Sequence, residues 1–262
     1  MFKSPGHIAF SFYSIDIHYY GIIMSFSILF ALFIILLIRK KFFKDISVDS
    51  IFDISLLLII SGIIGARIYY VLFDYKYFLN HPTEIFAIWN GGISIHGAIL
   101  GGVIAFYIYA RKKHYDFLKY ADLFVTGTIF AQAIGRWGNF FNSEAFGLPC
   151  SLPWKLYIPY PLRPVEYRSF EYFHPAFLYE SILNFIIFLV LLLILYKYPE
   201  RKNGILFFTY ILLYSFVRIC TETIRIDSVF NVSIFHIAHI ISIILILFSC
   251  IGIYLTLKKK TS

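Results

Sequence analysis

Three arginines, Arg67, Arg136 and Arg218, lie inside long apolar runs, and His96 and Glu180 lie inside two others. An ionisable side chain within a hydrophobic span is costly to hold and marks a functional site by default. Counted from the nearer common boundary of their runs, Arg67 is six residues in, Arg136 five, Arg218 six, His96 five and Glu180 four, while Tyr20 opens its run. At 1.5 Å per helical residue these groups share a level roughly 6–9 Å below that boundary. A single arginine near a helix end commonly snorkels to the interface. Three from separate runs at one depth, beside a histidine and a glutamate, describe a basic cavity instead. Arginine suits phosphate because its planar fork binds two oxygens and keeps its charge. The natural anion at that depth is a phospholipid headgroup. Glu180 also has a plainer reading, as the structural partner of Arg67 or another arginine.

One run carries a finer pattern. Tyr214, Arg218, Glu222 and Arg225 are spaced four, four and three apart. At about 100° per residue they fall on one narrow stripe of a helix, where Glu222 can pair with both arginines. Such a stripe is either a self-neutralising helix edge or a rigid mount for Arg218 that still attracts an anion.

The elements that must position these groups follow from composition. Of 262 residues, 60% are hydrophobic and 15% charged, where soluble domains carry about 25% charged residues; mean hydropathy is +0.76. A soluble enzyme, a disordered regulator, a collagen-like chain and a disulfide scaffold are excluded. Seven apolar stretches reach the ~20 residues a spanning helix needs. They are about 20–39, 52–73, 91–110, 120–141, 176–197, 204–224 and 235–257. Lipid offers the backbone no partner, so each span is expected to be helical, and the short alternating strands of a β-barrel are absent. The expected architecture is all-α and polytopic, one integral membrane domain over 1–262. The Pro- and Tyr-rich segment at about 142–175 forms a small extracytoplasmic cap, and the stretch 74–90, with Tyr75 and Trp89, is amphipathic enough to lie in the interface.

Fourteen of the 23 Lys and Arg residues follow the first, third, fifth and seventh spans, among them Arg39, Lys113, Lys202, Lys259 and Lys260. Six more, including Arg163 and Arg225, are spread over the longer loops of the other side. The positive-inside rule then puts the N-terminus outside and the C-terminus in the cytoplasm. The net charge of +8 is thus a topology signal, and no nucleic acid is expected as a partner. No cleavable signal peptide is evident. Cys150, Cys220 and Cys250 form no CxxC or obvious pair. No P-loop, GxGxxG or zinc motif appears, so no metal, nucleotide or other cofactor is expected.

The fourth span ends in Gly135-Arg136-Trp137-Gly138-Asn139-Phe140-Phe141-Asn142-Ser143-Glu144-Ala145-Phe146-Gly147. This run resembles the signature of the prolipoprotein diacylglyceryl transferases, G-R-x-[GA]-N-F-x-N-x-E-x-x-G, and meets every fixed position. From the residues alone it is an anion site followed by a helix stop: Arg136 and Asn139 share a helix face, and Asn142, Glu144 and Gly147 line the exit. The resemblance extends along nearly the whole chain. Tyr19-Tyr20-Gly21, Gly65-Ala66-Arg67, the Gly91-Gly92-Ile93-Ser94-Ile95-His96-Gly97 segment, His174-Pro175-Ala176-Phe177-Leu178-Tyr179-Glu180 and the set Tyr214, Arg218, Glu222, Arg225 and Asp227 are each similar to a family element. The seventh span opens instead with Phe235-His236-Ile237-Ala238-His239, where many relatives carry Met-Gly-Gln.

The resemblance implies a multi-pass enzyme of the bacterial cytoplasmic (plasma) membrane. It would move the diacylglyceryl group of phosphatidylglycerol onto the lipobox cysteine thiol of a prolipoprotein signal peptide, forming a thioether and releasing glycerol 1-phosphate, the first step of lipoprotein maturation. Arg136 and Arg218 are the expected clamp for phosphate and leaving group, and His96 is either the general base or a hydrogen-bond donor to lipid. Tyr20, Arg67, Asn139, Asn142, Glu144, Gly147, Tyr214, Glu222 and Arg225 complete the expected substrate site, and both substrates arrive sideways through the bilayer. The rival classes are a transporter, another outer-leaflet lipid enzyme and a non-catalytic lipoprotein receptor. A transporter fits poorly, because its site belongs near the midplane between repeats.

Overall fold

The computed structural model describes residues 1–13, 15–226, 231–232 and 235–258, so Asp227, Lys259 and Lys260 lie outside the described residues. In chain order the regular elements are β1 (Phe2–Lys3), β2 (Ile8–Phe12), β3 (Ile15–His18), α1 (Tyr19–Phe42), α2 (Val48–Phe73), α3 (Tyr75–Asn80), α4 (Ile95–Lys112), α5 (Phe117–Asn142), β4 (Leu156–Tyr157), β5 (Tyr172–Phe173), α6 (Ala176–Lys197), α7 (Ile205–Glu222), β6 (Asn231–Val232), β7 (Phe235–His236) and α8 (Ile237–Lys258). The protein is mostly helical. Among the described residues five helices, α1, α2, α6, α7 and α8, are long and apolar enough to cross a membrane, which makes this a multi-pass membrane protein. Helices also occupy the other two expected spans: α4, of 18 residues, begins four positions late, after a turn, and α5 has 26. The chain divides into two compact units, residues 43–120 and the remainder.

In the larger unit α1 lies antiparallel to α5. Tyr20 packs over Gly138 and Ile35 over Gly127, and the Tyr19 and Phe141 rings stack at 4.3 Å. The last turn of α1 carries Arg39, Lys40 and Lys41, cations that complement the negative end of the helix dipole. Helix α7 starts without a side chain of its own to cap it. The buried Asp122 of α5 serves instead, its carboxylate accepting from Gly204 N at 2.9 Å and Phe207 N at 2.8 Å. Two otherwise orphaned donors of a helix end are thereby satisfied from a neighbouring helix.

Residues 143–175 carry little regular structure. β4 pairs parallel with β1 and antiparallel with β5, over a small core of Ala145, Phe146, Leu156, Ile158, Phe173 and Phe177. Arg163 staples the outer turns, its Nε donating to Ile158 O at 2.8 Å and its Nη1 to Arg168 O at 3.2 Å. The hairpin β2–β3 was not foreseen from sequence. It projects Phe10, Phe12 and Tyr13 outward.

In the smaller unit α2 and α4 cross at bare backbone. A Cβ at Gly97 would strike Gly65 O, one at Gly65 would strike Gly97 O and come within 3.0 Å of Gly101 Cα, and one at Gly101 would come within 2.6 Å of Ser61 O. Small residues four apart on both helices allow this approach, the packing mode favoured between helices in lipid. After α2 the chain forms α3 and two 3-10 turns, Pro82–Phe86 and Ile88–Asn90, in which Leu79, Phe86 and Trp89 are largely exposed.

Candidate active site

Helix α6 buries a stripe that includes Phe177, Glu180, Asn184, Ile187, Leu191 and Leu195. Glu180 therefore points inward, with 1% of its surface exposed. A carboxylate so placed needs cationic partners. Three arginines supply them: Arg136 Nη2 lies 2.5 Å from Oε2, Arg218 Nη1 3.0 Å from Oε1 and Arg225 Nη1 3.5 Å from Oε1. The Arg136 contact is a charge contact rather than an aligned hydrogen bond. Arg218 also donates through Nη2 to Glu222 Oε2 at 2.6 Å, the expected one-turn pair along α7. Among the described residues the cluster sets three guanidinium groups against two carboxylates. The arginine side chains remain 23%, 19% and 16% exposed while Glu180 and Glu222 are buried. The acids thus fix the cations from behind, and Arg136 and Arg218 present further N–H groups on the open side.

Arg225 reaches this cluster by a different route from the one its spacing suggests. α7 ends at Glu222, so Arg225 is not on the helical stripe of Tyr214, Arg218 and Glu222. Instead the chain turns and Arg225 forms an isolated bridge with Gly147. Gly147 N donates to His174 O at 2.8 Å and Leu148 N to Ile224 O at 3.0 Å. A side chain at 147 would press on Ile224 O at 2.9 Å and His174 Cβ at 3.1 Å. Gly147 is thus the strut that holds Arg225 beside the start of α6.

The signature's polar residues form a second group at the end of α5. Ser143 and Ala145 adopt φ of 56° and 53°, a left-handed turn that bulky residues avoid. It folds Glu144 back so that its N–H meets Asn139 O at 2.9 Å. The exposed Glu144 carboxylate then accepts from Asn139 Nδ2 and Asn142 Nδ2, each at 3.3 Å. Tyr20 lies in the gap that Gly138 leaves: a Cβ there would approach its ring to 2.7 Å. Tyr214 stacks on Tyr210, whose hydroxyl is hydrogen-bonded to Gln132 at 3.0 Å.

The remaining two expected site residues lie in the smaller unit. Arg67 is buried in a cage of carbonyls: Nε donates to Ile85 O at 2.8 Å, Nη1 to Gly91 O at 2.8 Å and Gly92 O at 2.7 Å, and Nη2 to Glu84 O at 2.5 Å. Four of its five N–H groups are used by the loop that precedes α4. Gly92, at φ 73°, lets this loop close, since a Cβ there would lie 2.6 Å from Arg67 Nη1. His96, in the first turn of α4, is exposed, with its ring 6.0 Å from that of Tyr69.

The sequence puts Arg136, Arg218 and Glu180 at one depth and pairs Arg218 with Glu222, but leaves Glu180 outside the expected substrate site. Glu180 is the centre of the cluster. Its signal is that it is the lone acid on the strongly apolar α6. Gln132 and Tyr210, behind Tyr214, gave no signal that separates them from ordinary core residues.

A family profile described as prolipoprotein diacylglyceryl transferase matches residues 7–255. Among relatives, the phosphatidylglycerol–prolipoprotein diacylglyceryl transferase of Acaryochloris marina is 43% identical over 262 residues, covering 100% of this chain and 94% of its own. That of Trichormus variabilis is 45% identical over 232 residues, 87% of this chain and 82% of its own. That of Synechocystis is 40% identical, covering 99% and 92%. With the signature residues gathered at the end of α5 and a match of this extent, the chain belongs to the prolipoprotein diacylglyceryl transferase family.

Proposed function

We propose that this chain transfers the diacylglyceryl group of phosphatidylglycerol to the cysteine thiol of a prolipoprotein lipobox. The observation that carries the reading is the cluster of Arg136, Arg218 and Arg225 braced by Glu180 and Glu222, in which the arginines stay partly exposed in front of buried acids. In the reaction the cysteine sulfur attacks the glyceryl carbon that bears the phosphate ester. The S–C bond forms, the C–O bond breaks, and the electron pair leaves on glycerol 1-phosphate. Charge on the phosphate grows as that bond breaks, and fixed donors already aimed at it favour the transition state over the ground state. Arg136 and Arg218 take this role, Glu180, Glu222 and Arg225 hold them, and Asn139, Asn142, Glu144, Tyr20 and Tyr214 are the polar walls of the substrate site. The thiol proton goes to a base. An imidazole has a suitable pKa, and the thiol, near 8.5 when free, needs little activation. His96 is the candidate by its exposure and its motif.

The same reading extends to topology. α4 and α5 complete seven spans, the N-terminus and the segment 143–175 face outward, and the basic ends of α1, α4, α6 and α8 face the cytoplasm. The whole chain then acts as one domain of the cytoplasmic membrane, with lipid and signal peptide entering through the bilayer. Cysteine-labelling from either side of intact vesicles, at positions 13 and 113, reports each face.

The activity is tested with purified protein, phosphatidylglycerol and a short lipobox peptide, using mass spectrometry to detect a diacylglyceryl increment on the cysteine. The expected result is a thioether adduct that is lost with a Cys→Ser peptide and with Arg136→Ala enzyme. Folded, lipid-binding protein that yields no adduct would favour the receptor or carrier reading.

A further inference from the structure

One turn deeper than the ion cluster, the same three helices carry a second set of polar groups. Glu180 faces Arg136 of α5 and Arg218 of α7, and Ser181 Oγ donates to Ala133 O at 2.7 Å. These contacts fix the register of α6 against its antiparallel neighbours. Four residues further along α6 is Asn184; four residues back along α5 is Gln132; three and four residues back along α7 are Ser215 and Tyr214. Each step is about 4.5–6 Å, so these residues share a level.

Gln132 is accounted for by Tyr210. Asn184 and Ser215 are not. Asn184 is 0% exposed and Ser215 1%. Neither amide atom of Asn184, nor Ser215 Oγ, has a hydrogen-bond partner among the described residues, and Glu180 Oε2 has no aligned donor. Serines within helices ordinarily satisfy themselves by bonding a carbonyl one turn back. Ser25, Ser27, Ser61 and Ser249 do so here, at 2.6–2.9 Å. Ser215 does not.

We propose that Asn184 and Ser215 hold bound water beneath the Glu180 carboxylate, and that Asn184 is thereby a positioning residue for the Arg136–Glu180–Arg218 cluster. The inference rests on reading that cluster as the lipid-phosphate site. The chemistry of the four atoms selects the ligand. Asn184 Oδ1 and Glu180 Oε2 accept only, so the occupant must donate; Asn184 Nδ2 donates only, so it must also accept. Water does both and needs two to four such partners. A lipid ester carbonyl only accepts, and a cation is disfavoured beside three arginines. Residues four apart on one helix lie about 5–6 Å apart at Cβ, a span that one water closes. The water's O–H engages the oxygen of Glu180 that Arg136 meets without an aligned bond, and so fixes the plane of the carboxylate against which both arginines rest.

The test uses the full-length protein and the peptide-transfer assay above. Asn184→Leu removes the polar atoms and keeps the branched outline in a bulkier side chain; Asn184→Ser keeps a hydroxyl and leaves room for a further water. The expected result is a kcat lowered about tenfold or more for Asn184→Leu with the lipid KM little changed, because orientation is lost while charge is kept. Asn184→Ser should stay within about threefold of wild type. Wild-type kcat in Asn184→Leu, or equal loss in both variants, overturns the positioning role. An experimental density map read independently of activity should place water about 3 Å from Asn184 and from Glu180 Oε2; an Asn184 amide bonded directly to protein overturns the site. If water is present and wild type transfers nothing, the proposed function fails and the hydration site stands.

Discussion

The carboxylate of Glu180 and the guanidinium of Arg136 meet at 2.5 Å between α6 and α5, with the acid 1% exposed and the arginine side chain 23%. The acid is therefore the fixed member of the pair and the arginine the one that meets ligand. Glu180→Gln keeps the shape and removes the charge against which Arg136, Arg218 and Arg225 rest. Breaking a buried ion pair by neutralising one partner costs about 3–5 kcal/mol. Glu180→Gln is expected to melt at a lower temperature in detergent and to transfer lipid poorly even below its melting point. A variant with unchanged melting and transfer would contradict the central place of Glu180.

Arg136→Lys separates charge from geometry. Lysine keeps the positive charge but presents a point ammonium in place of a planar fork. Loss of a preorganised donor typically lowers kcat by 10²–10³, and about that loss is expected here, with folding intact. Steady-state transfer kinetics on a monodisperse preparation check it. Activity close to wild type would make Arg136 a source of field only.

Arg67 carries a different expectation from the other arginines, because its donors are taken by Glu84, Ile85, Gly91 and Gly92 carbonyls. Arg67→Lys is expected to loosen the loop ahead of α4 and to raise proteolytic cleavage between residues 81 and 94. Limited proteolysis followed by mass mapping measures this. Unaltered cleavage together with a raised lipid KM would return Arg67 to the substrate site.

The α2–α4 crossing predicts a contrast between neighbouring positions. Gly101→Ala places a methyl within 2.6 Å of Ser61 O, a backbone atom that cannot swing away, whereas at Gly102 the nearest atom is Leu58 Cδ2 at 3.5 Å. Overpacking of this kind costs about 1–3 kcal/mol. Gly101→Ala should lower thermal stability and Gly102→Ala should not. Equal melting temperatures would refute the close approach.

Asp122→Ala should destabilise by up to about 2 kcal/mol, the upper end for loss of a helix N-cap, because both carboxylate oxygens receive α7 backbone donors. Asp122→Asn retains one acceptor and should lose less. The order of the two melting temperatures decides.

What the sequence disclosed and what it withheld divide along the range of the contact. Apolar runs located every long helix, because lipid leaves the backbone one solution, and one-turn pairs such as Arg218–Glu222 follow from helical spacing. The partners of Glu180 are residues on other helices, and a depth argument brought them to one level without choosing among them. Arg225 was placed on the α7 stripe because helical spacing continues through it; the chain leaves the helix earlier, drawn off by Gly147, nearly eighty residues away. Arg67 has the same depth as Arg218 by count, yet the carbonyls that claim it belong to a loop with no pattern of its own. The β2–β3 hairpin had a signal in the alternation of Ile8, Phe10 and Phe12, which the dominance of the apolar helices hid.

The cap that Asp122 provides has a consequence for the order of synthesis. Its donors, Gly204 and Phe207, lie 82 and 85 residues further along the chain. At about 5–20 residues per second the ribosome needs several seconds to deliver them. For that interval α5 exists as a helix whose carboxylate lacks the backbone donors it will cap, and any burial in lipid would cost it its hydration. Biogenesis therefore favours a waiting state, with this end of α5 kept beside water until α7 emerges, and the two helices then settle as a pair.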